Sequence, residues 1–228
     1  MEIKPIAYVY TDFEEKFGIP RQSGRVESLL GKIIFEHEYN NPDAVRGIEE
    51  FSHLWLIFGF SKTEREGNPL TVRPPRLGGN ERIGVFASRS PFRPNSLGLS
   101  CVKLEKIEKN EKGELVLIVS GVDMLSGTPI YDIKPYIPYC DSKPYAKGSF
   151  AEEFKMHSLS IDFPEELLAL VPKEKQKPLS DCLKEDPRPA YHEDGREYAM
   201  CFSGLDVRFV VEGKMLKVIG VEKRKNVQ

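Results

Sequence analysis

LGLSCVKLEKIEKNEKGELVLIVSGVDM, residues 97–124, decides the fold class. Its two arms, 97–109 and 114–124, are rich in β-branched residues and partly alternate between apolar and polar positions. That period of two suits strands with one buried face. Asn110 and Gly113 bracket the residues between the arms, and both types favour tight turns. The stretch therefore predicts a β-hairpin. Upstream, residues 52–60 (SHLWLIFGF) form the most apolar run. It is short and aromatic, which favours a buried strand over a helix. Residues 3–10, 31–38 and 83–87 also read as strands, and 11–22 as a polar loop ending in GIPRQ. Residues 128–137 read as a strand whose Pro129 and Pro135 place it at an edge or a bulge. In NPDAVRGIEE (41–50), Asn41 can cap a short helix, with Pro42 at its first position and Asp43 in its first turn.

These short strands predict a mainly β protein with an N-terminal β-barrel over residues 1–143. Residues 144–153 are polar, contain Pro144 and Gly148, and read as a linker. Residues 154–228 read as a small α+β domain. Its expected elements are a strand at 154–163, helices at 164–171 and 179–184, and strands at 197–202, 207–212 and 215–222. A domain this small is near the size at which a core needs neighbours or a partner chain. The KEKQK run at 173–177 reads as a solvated face.

The bulk composition is that of an ordinary soluble domain: 40% hydrophobic, 30% charged, with a net charge of −2. A globally basic nucleic-acid coat is excluded, so any polyanion contact must come from a patch. The four cysteines show no CxxC or CxxH spacing. No metal is expected, and a reduced, cytoplasmic setting is the plain reading. The N-terminus has no long apolar signal core, and no apolar run reaches the roughly 18 residues of a membrane span. The chain carries no dinucleotide-binding glycine fingerprint, Walker-type phosphate loop, GxSxG elbow or HExxH pair. His37, His53, His157 and His192 are scattered and read as structural or surface residues.

Charge is concentrated at residues 72–98, VRPPRLGGNERIGVFASRSPFRPNSLG, with five arginines and one acid, Glu81. The interleaved prolines and glycines hold the guanidinium groups in defined turns. Planar forks presented in this way suit phosphate or carboxylate recognition.

Five ordered blocks then show a family resemblance. They are GIPRQ (18–22), AVRGIEEFSHLWLIF (44–58), TVRPPRLGGNERIGVFASRSPFRPNSLG (71–98), SGTPIYDIKPYIPYCDS (126–142) and EDPRPAY (185–191). Together they resemble the tRNA methyltransferase O family, also called the TsaA-like or YaeB/VirR family, over nearly the whole chain. The resemblance implies a TsaA-like β-barrel methyltransferase domain, S-adenosyl-L-methionine as cofactor, and a homodimer with cofactor sites near the subunit contact. It also implies a tRNA substrate, methylated on N6 of N6-threonylcarbamoyladenosine next to the anticodon. The matching positions for cofactor contacts are Pro20, Arg21, Gln22, Ser61, Lys62, Arg89, Leu99, Asp123, Met124, Leu125, Ser126, Gly127 and Thr128. Many relatives carry histidine at Ser61, aspartate at Ser126 and proline at Ser96.

Arg73, Arg76 and Arg93 are the candidates for gripping RNA phosphate or the threonyl carboxylate. Asp186, Arg188 and Tyr191 are those expected from the C-terminal domain. The target N6 lies in a urea-like group, so methylation requires loss of a proton. Asp132 and Asp141, with Tyr136 as a relay, are the candidate acceptors. Plainer roles stand beside these. Asp132 can be a structural turn acid, Tyr191 can pack between domains, and Trp55, Phe58 and Phe60 can be core. Arg46 and Glu49 can be a surface ion pair. Two other functions are compatible with the residues: a methyltransferase with a different substrate, and a non-catalytic RNA-binding or regulatory protein.

Overall fold

A computed structural model describes residues 2–61, 69–74, 81–154, 158–189 and 194–224. Six strands close into an antiparallel barrel: β1 (Ala7–Tyr10), β2 (Leu30–Phe35), β3 (His53–Gly59), β6 (Leu97–Lys109), β7 (Leu115–Ser120) and β8 (Thr128–Pro135). Their order around the barrel is β1-β2-β7-β6-β3-β8. Two short strands, β4 (Thr71–Val72) and β5 (Ile83–Gly84), pair beside it.

The hairpin expected from residues 97–124 is β6–β7. Its turn is built as the residue types require: the Asn110 side chain accepts from the Lys112 and Glu114 amides (3.0 and 2.9 Å), and Gly113 takes φ 79°. β6 serves two neighbours. Leu97–Lys103 pairs with β3, and Lys103–Lys109 pairs with β7, with a bulge between Leu104 and Lys106. Alternation along β3 sends Leu54, Leu56 and Phe58 inward, where they join Val9, Ile33, Val102, Leu117 and Ile130. Trp55 therefore faces outward and half-buried, which corrects the expectation that it is core. Phe58 is core, and Phe60 packs edge-on against it at 5.1 Å.

The proline-bearing strand β8 lies between β1 and β3 and not at an edge. Its register slips where Ile57 faces Asp132 and Phe58 faces Ile130, leaving Tyr131 in a bulge over Gly59. Pairing with β3 starts only at Ile130, so Pro129 lies just outside it. The helix expected at 41–50 is two 3₁₀ turns, Pro42–Val45 and Ile48–Glu50. Gly47 separates them at φ 83°, a left-handed value that no helix continues through. Asn41 does cap the first turn, accepting from the Asp43 amide at 3.0 Å. Arg46 pairs with Asp43 and not with Glu49.

The C-terminal domain is a four-stranded sheet of β9 (Ser160–Asp162), β10 (Glu197–Phe202), β11 (Leu205–Glu212) and β12 (Met215–Lys223), in the order β10-β11-β12-β9. Only β9–β12 is parallel. Helix α1 (Pro138–Asp141) follows β8 in the barrel domain, and α2 (Glu165–Leu168) and α3 (Lys173–Lys184) belong to the C-terminal domain; the stretch expected as a linker runs into a 3₁₀ helix, Ser149–Phe154. The KEKQK run opens α3. That helix starts at Lys173, ahead of the expected 179–184, and Leu179, Cys182 and Leu183 anchor it to the core.

One buried core runs through both modules. The loop at 11–22, read as polar, supplies the bridge. Phe13 is fully buried with its ring edge-on to Phe202 at 5.5 Å. Phe17 stacks on Tyr198 at 6.0 Å and on Phe209 at 6.4 Å. Local polarity hid this role, because aromatics that follow β1 and find their partners only on β10 and β11 leave no periodic signal. No helix of the described residues is long and apolar enough to cross a membrane.

Candidate cofactor and substrate site

The described positions named for the cofactor, apart from Leu99 in β6 and Thr128 at the start of β8, lie on the β1–β2, β3–β6 and β7–β8 connections at one end of the barrel. The first is the segment after β1. Pro20 is buried there, and Arg21 reaches across to donate to the Arg188 carbonyl at 2.7 Å. Gln22 accepts a hydrogen bond from the Arg89 guanidinium, which joins this loop to the arginine segment. Ser23 follows. Its hydroxyl accepts from the Cys101 amide at 3.1 Å, and its own amide donates to Asp123.

Asp123 is the electrostatic centre of the group. The Ser100 hydroxyl donates to its Oδ1 at 2.6 Å. Burial pushes its carboxyl up to about 6, although the bonds from Ser100 and Ser23 and the charge of Arg89 all act to lower it. Gln22, Ser23, Arg89, Ser100 and Asp123 thus converge from four separate segments. Ser23 and Ser100 were missed by sequence reasoning. A polar residue at an inward strand position was the available signal for Ser100, which is 2% exposed.

The turn at 123–128 is pinned to the start of the same loop. Ser126 donates its amide to the Phe13 carbonyl at 2.7 Å, and its hydroxyl accepts from the Thr11 amide at 3.3 Å. The Thr11 hydroxyl donates to the Met124 carbonyl at 2.9 Å. Gly127 takes φ 79° and donates to the Val9 carbonyl at 2.8 Å. Met124 and Leu125 are core residues here, so their backbone rather than their side chains faces the turn. The Ser61 and Thr128 hydroxyls meet at 3.3 Å. Lys62 lies outside the described residues.

Of the two proton-acceptor candidates and their relay, Asp132 lies on β8, while Asp141 in α1 and Tyr136 just after β8 pack against Trp55 on the outside of β3. Leu99, Ile57 and Asp132 form one cross-strand row, so Leu99 and Asp132 are about 10 Å apart, two strand spacings. Asp132 accepts from the Ile133 amide at 2.9 Å and pairs with Lys134 at 2.7 Å. Asp141 closes α1. One of its oxygens accepts from the Ile137 amide at 2.8 Å and from the Trp55 indole at 3.0 Å. Those two bonds hold the Asp141 carboxyl below the usual aspartate range. The Tyr136 ring packs against Trp55 at 5.7 Å and His53 at 6.2 Å.

The RNA-contact candidates are dispersed. Arg73 is exposed beside β4, and Arg93 is half-buried, donating to the Ser88 carbonyl at 3.1 Å. Arg188 is turned toward carboxylates: Nε meets Asp186 at 2.9 Å and Nη1 meets Asp194 at 3.0 Å. The Asp186 bonds foremost, then those to Asp194, raise its guanidinium above its ordinary value. Asp186 itself sits at φ 51°, in the left-handed region. Arg76 and Tyr191 lie outside the described residues. No group of three metal-ligating side chains occurs among the described residues.

The barrel and the C-terminal module have known counterparts. Residues 8–142 match the tRNA-methyltransferase O N-terminal domain, and 157–224 match the C-terminal domain of the same family. The chain is 40% identical over 232 residues to a tRNA (adenine(37)-N6)-methyltransferase of Escherichia coli K12, covering 98% of each chain. It is 38% identical over 216 residues to a putative S-adenosylmethionine-dependent methyltransferase, RcsF, of Pseudomonas aeruginosa, covering 91% of each. A crystal structure of TrmO from P. aeruginosa superposes with a TM-score of 0.79 at 31% identity, covering 98% of this chain and 97% of that one. Sequence and fold agree across both modules: the chain belongs to the tRNA-methyltransferase O family.

Proposed function

We propose that the chain is an S-adenosyl-L-methionine-dependent tRNA methyltransferase acting on N6 of adenosine 37 in its N6-threonylcarbamoyl form. The convergence of Gln22, Ser23, Arg89, Ser100 and Asp123 carries this reading. The donor set fits the cofactor: a carboxyl and an arginine side by side suit a zwitterionic amino-acid moiety, and the backbone groups of the pinned 123–128 turn suit a nucleoside. When bound, the cofactor supplies a methyl group already activated on sulfur. The protein's task is therefore alignment of N6 and management of its proton.

Asp132 is the better acceptor candidate. It shares a face with Leu99, whereas Asp141 is held low by Ile137 and Trp55 and accepts a proton poorly. Arg73, Arg76 and Arg93 supply the positive surface for tRNA phosphate and the threonyl carboxylate, and Arg89 serves the cofactor pocket. Asp186, Arg188 and Tyr191 bring the C-terminal module to the RNA. Leu99 is 56% exposed on the barrel's outer face, which suits a second copy packed near the cofactor site. The working form in this reading is a homodimer, and the absence of paired cysteines among the described residues fits a reduced, cytoplasmic setting.

The decisive experiment is mass spectrometry of tRNA nucleosides from a strain lacking the gene. Loss of the methylated threonylcarbamoyl nucleoside, restored by the wild-type gene, is expected; unchanged levels sink the proposal. In the purified protein, Asp132→Asn is expected to lower turnover about a hundredfold while cofactor affinity is kept. Full turnover in that variant assigns the proton elsewhere.

A further inference from the structure

The segment that carries Pro20, Arg21 and Gln22 has neither helix nor strand of its own. Its conformation is imposed by the C-terminal module from both ends. On the early side, Phe13 and Phe17 plug into the second sheet. The Ser203 amide donates to the Asp12 carbonyl at 2.8 Å, and Lys175 reaches both Asp12 carboxylate oxygens at 2.6 and 2.8 Å. Gly18 lies so close to Met200 that an added Cβ would fall 2.0 Å from its sulfur. On the late side, Arg21 donates to the Arg188 carbonyl at 2.7 Å, and Arg25 grips Glu185 with two bonds of 2.8 and 2.9 Å. Between these anchors, Gln22 and Ser23 meet Arg89, Cys101 and Asp123.

We infer that Arg25 and Glu185 are positioning residues for the cofactor: through this clasp the C-terminal module sets the shape of the cofactor loop. A bidentate arginine–carboxylate pair fixes orientation as well as distance. Here both side chains are largely withdrawn from water, at 32% and 17% exposure, so the pair is less screened than a surface bridge. Glu185 and Arg188 flank the turn expected to meet tRNA. The clasp therefore ties the cofactor loop and that turn into one unit, and the inference rests on the cofactor reading above. A further polar contact between the modules, Ser28 to Asp181 at 2.8 Å, lies beyond the loop and provides an internal control.

The test uses the full chain and measures S-adenosyl-L-methionine affinity by calorimetry, with no tRNA present. Glu185→Gln is expected to weaken binding about tenfold, the size of one charged hydrogen bond. Arg25→Lys keeps the charge and loses the fork, and is expected to weaken it several-fold. Ser28→Ala is expected to leave affinity within about twofold. The charge swap Arg25→Glu with Glu185→Arg is expected to recover most of the loss, which general destabilisation would not do. Hydrogen exchange of the amides at 18–25 should rise in Glu185→Gln and fall back in the swap. Unchanged affinity in both Glu185→Gln and Arg25→Lys, or an equal loss in Ser28→Ala, overturns the clasp. A wild-type chain that binds no S-adenosyl-L-methionine overturns the cofactor reading and the clasp together, a result distinct from either of these.

Discussion

Asp123 shows how one residue can be stabilised in position and destabilised in charge. Three partners orient it, yet burial dominates and lifts its carboxyl to about 6 from an ordinary 3.8. A carboxyl raised by folding contributes its full stability below the unfolded value and loses it as pH rises through the folded one. Stability attributable to Asp123 is therefore lost between about pH 4 and pH 6, by at most about 3 kcal/mol at 1.36 kcal/mol per pKa unit. In Asp123→Asn this decline should vanish, so the variant should be more stable than the wild type at pH 8 and not at pH 4. Urea unfolding at the two pH values checks it, and the same variant should bind the cofactor more weakly. Sequence reading reached Asp123 through the family resemblance alone. Its partners Ser23 and Ser100 come from distant segments, and a hydroxyl gives no hint of its partner across that distance.

At the scale of elements, β6 and β3 approach closely where Gly98 faces Phe58. A Cβ at Gly98 would come within 2.2 Å of the Phe58 ring. Gly98→Ala must displace a core aromatic and is expected to cost about 1–3 kcal/mol, seen as a lower denaturant midpoint with an unchanged slope. The β6–β7 hairpin was legible because its signals are local: a period of two, and turn residues that bond to their own neighbours. β8 was harder. Its prolines pointed to an edge or a bulge, and closure of the barrel leaves only the bulge. The 41–50 segment failed as a single helix because Gly47 leaves the right-handed region, although its cap at Asn41 was read correctly.

At the scale of the molecule, the modules are joined through the loop after β1. Phe13 lies inside a core contributed by both, so Phe13→Ala should cost about 3–5 kcal/mol. That loss should loosen the barrel and the second sheet together, giving one lowered transition in calorimetry; two separated transitions would show modules that fold independently. The C-terminal sheet is small, and the core it shares with the barrel adds to the burial that it has of its own.

By itself the sequence determined the mainly β class, the long hairpin, the small α+β appendage, and the family. Each of those is written in local patterning or in ordered blocks of residues, which survive without knowledge of what touches what. Only the tertiary structure decided that a polar-looking loop is an aromatic plug, that Trp55 faces Asp141 on the outside, and that Arg25 meets Glu185. Those partners lie 86 and 160 residues apart along the chain in the last two cases. Long-range pairing is selected by how the barrel closes and how the second sheet packs on it, and no single segment encodes either.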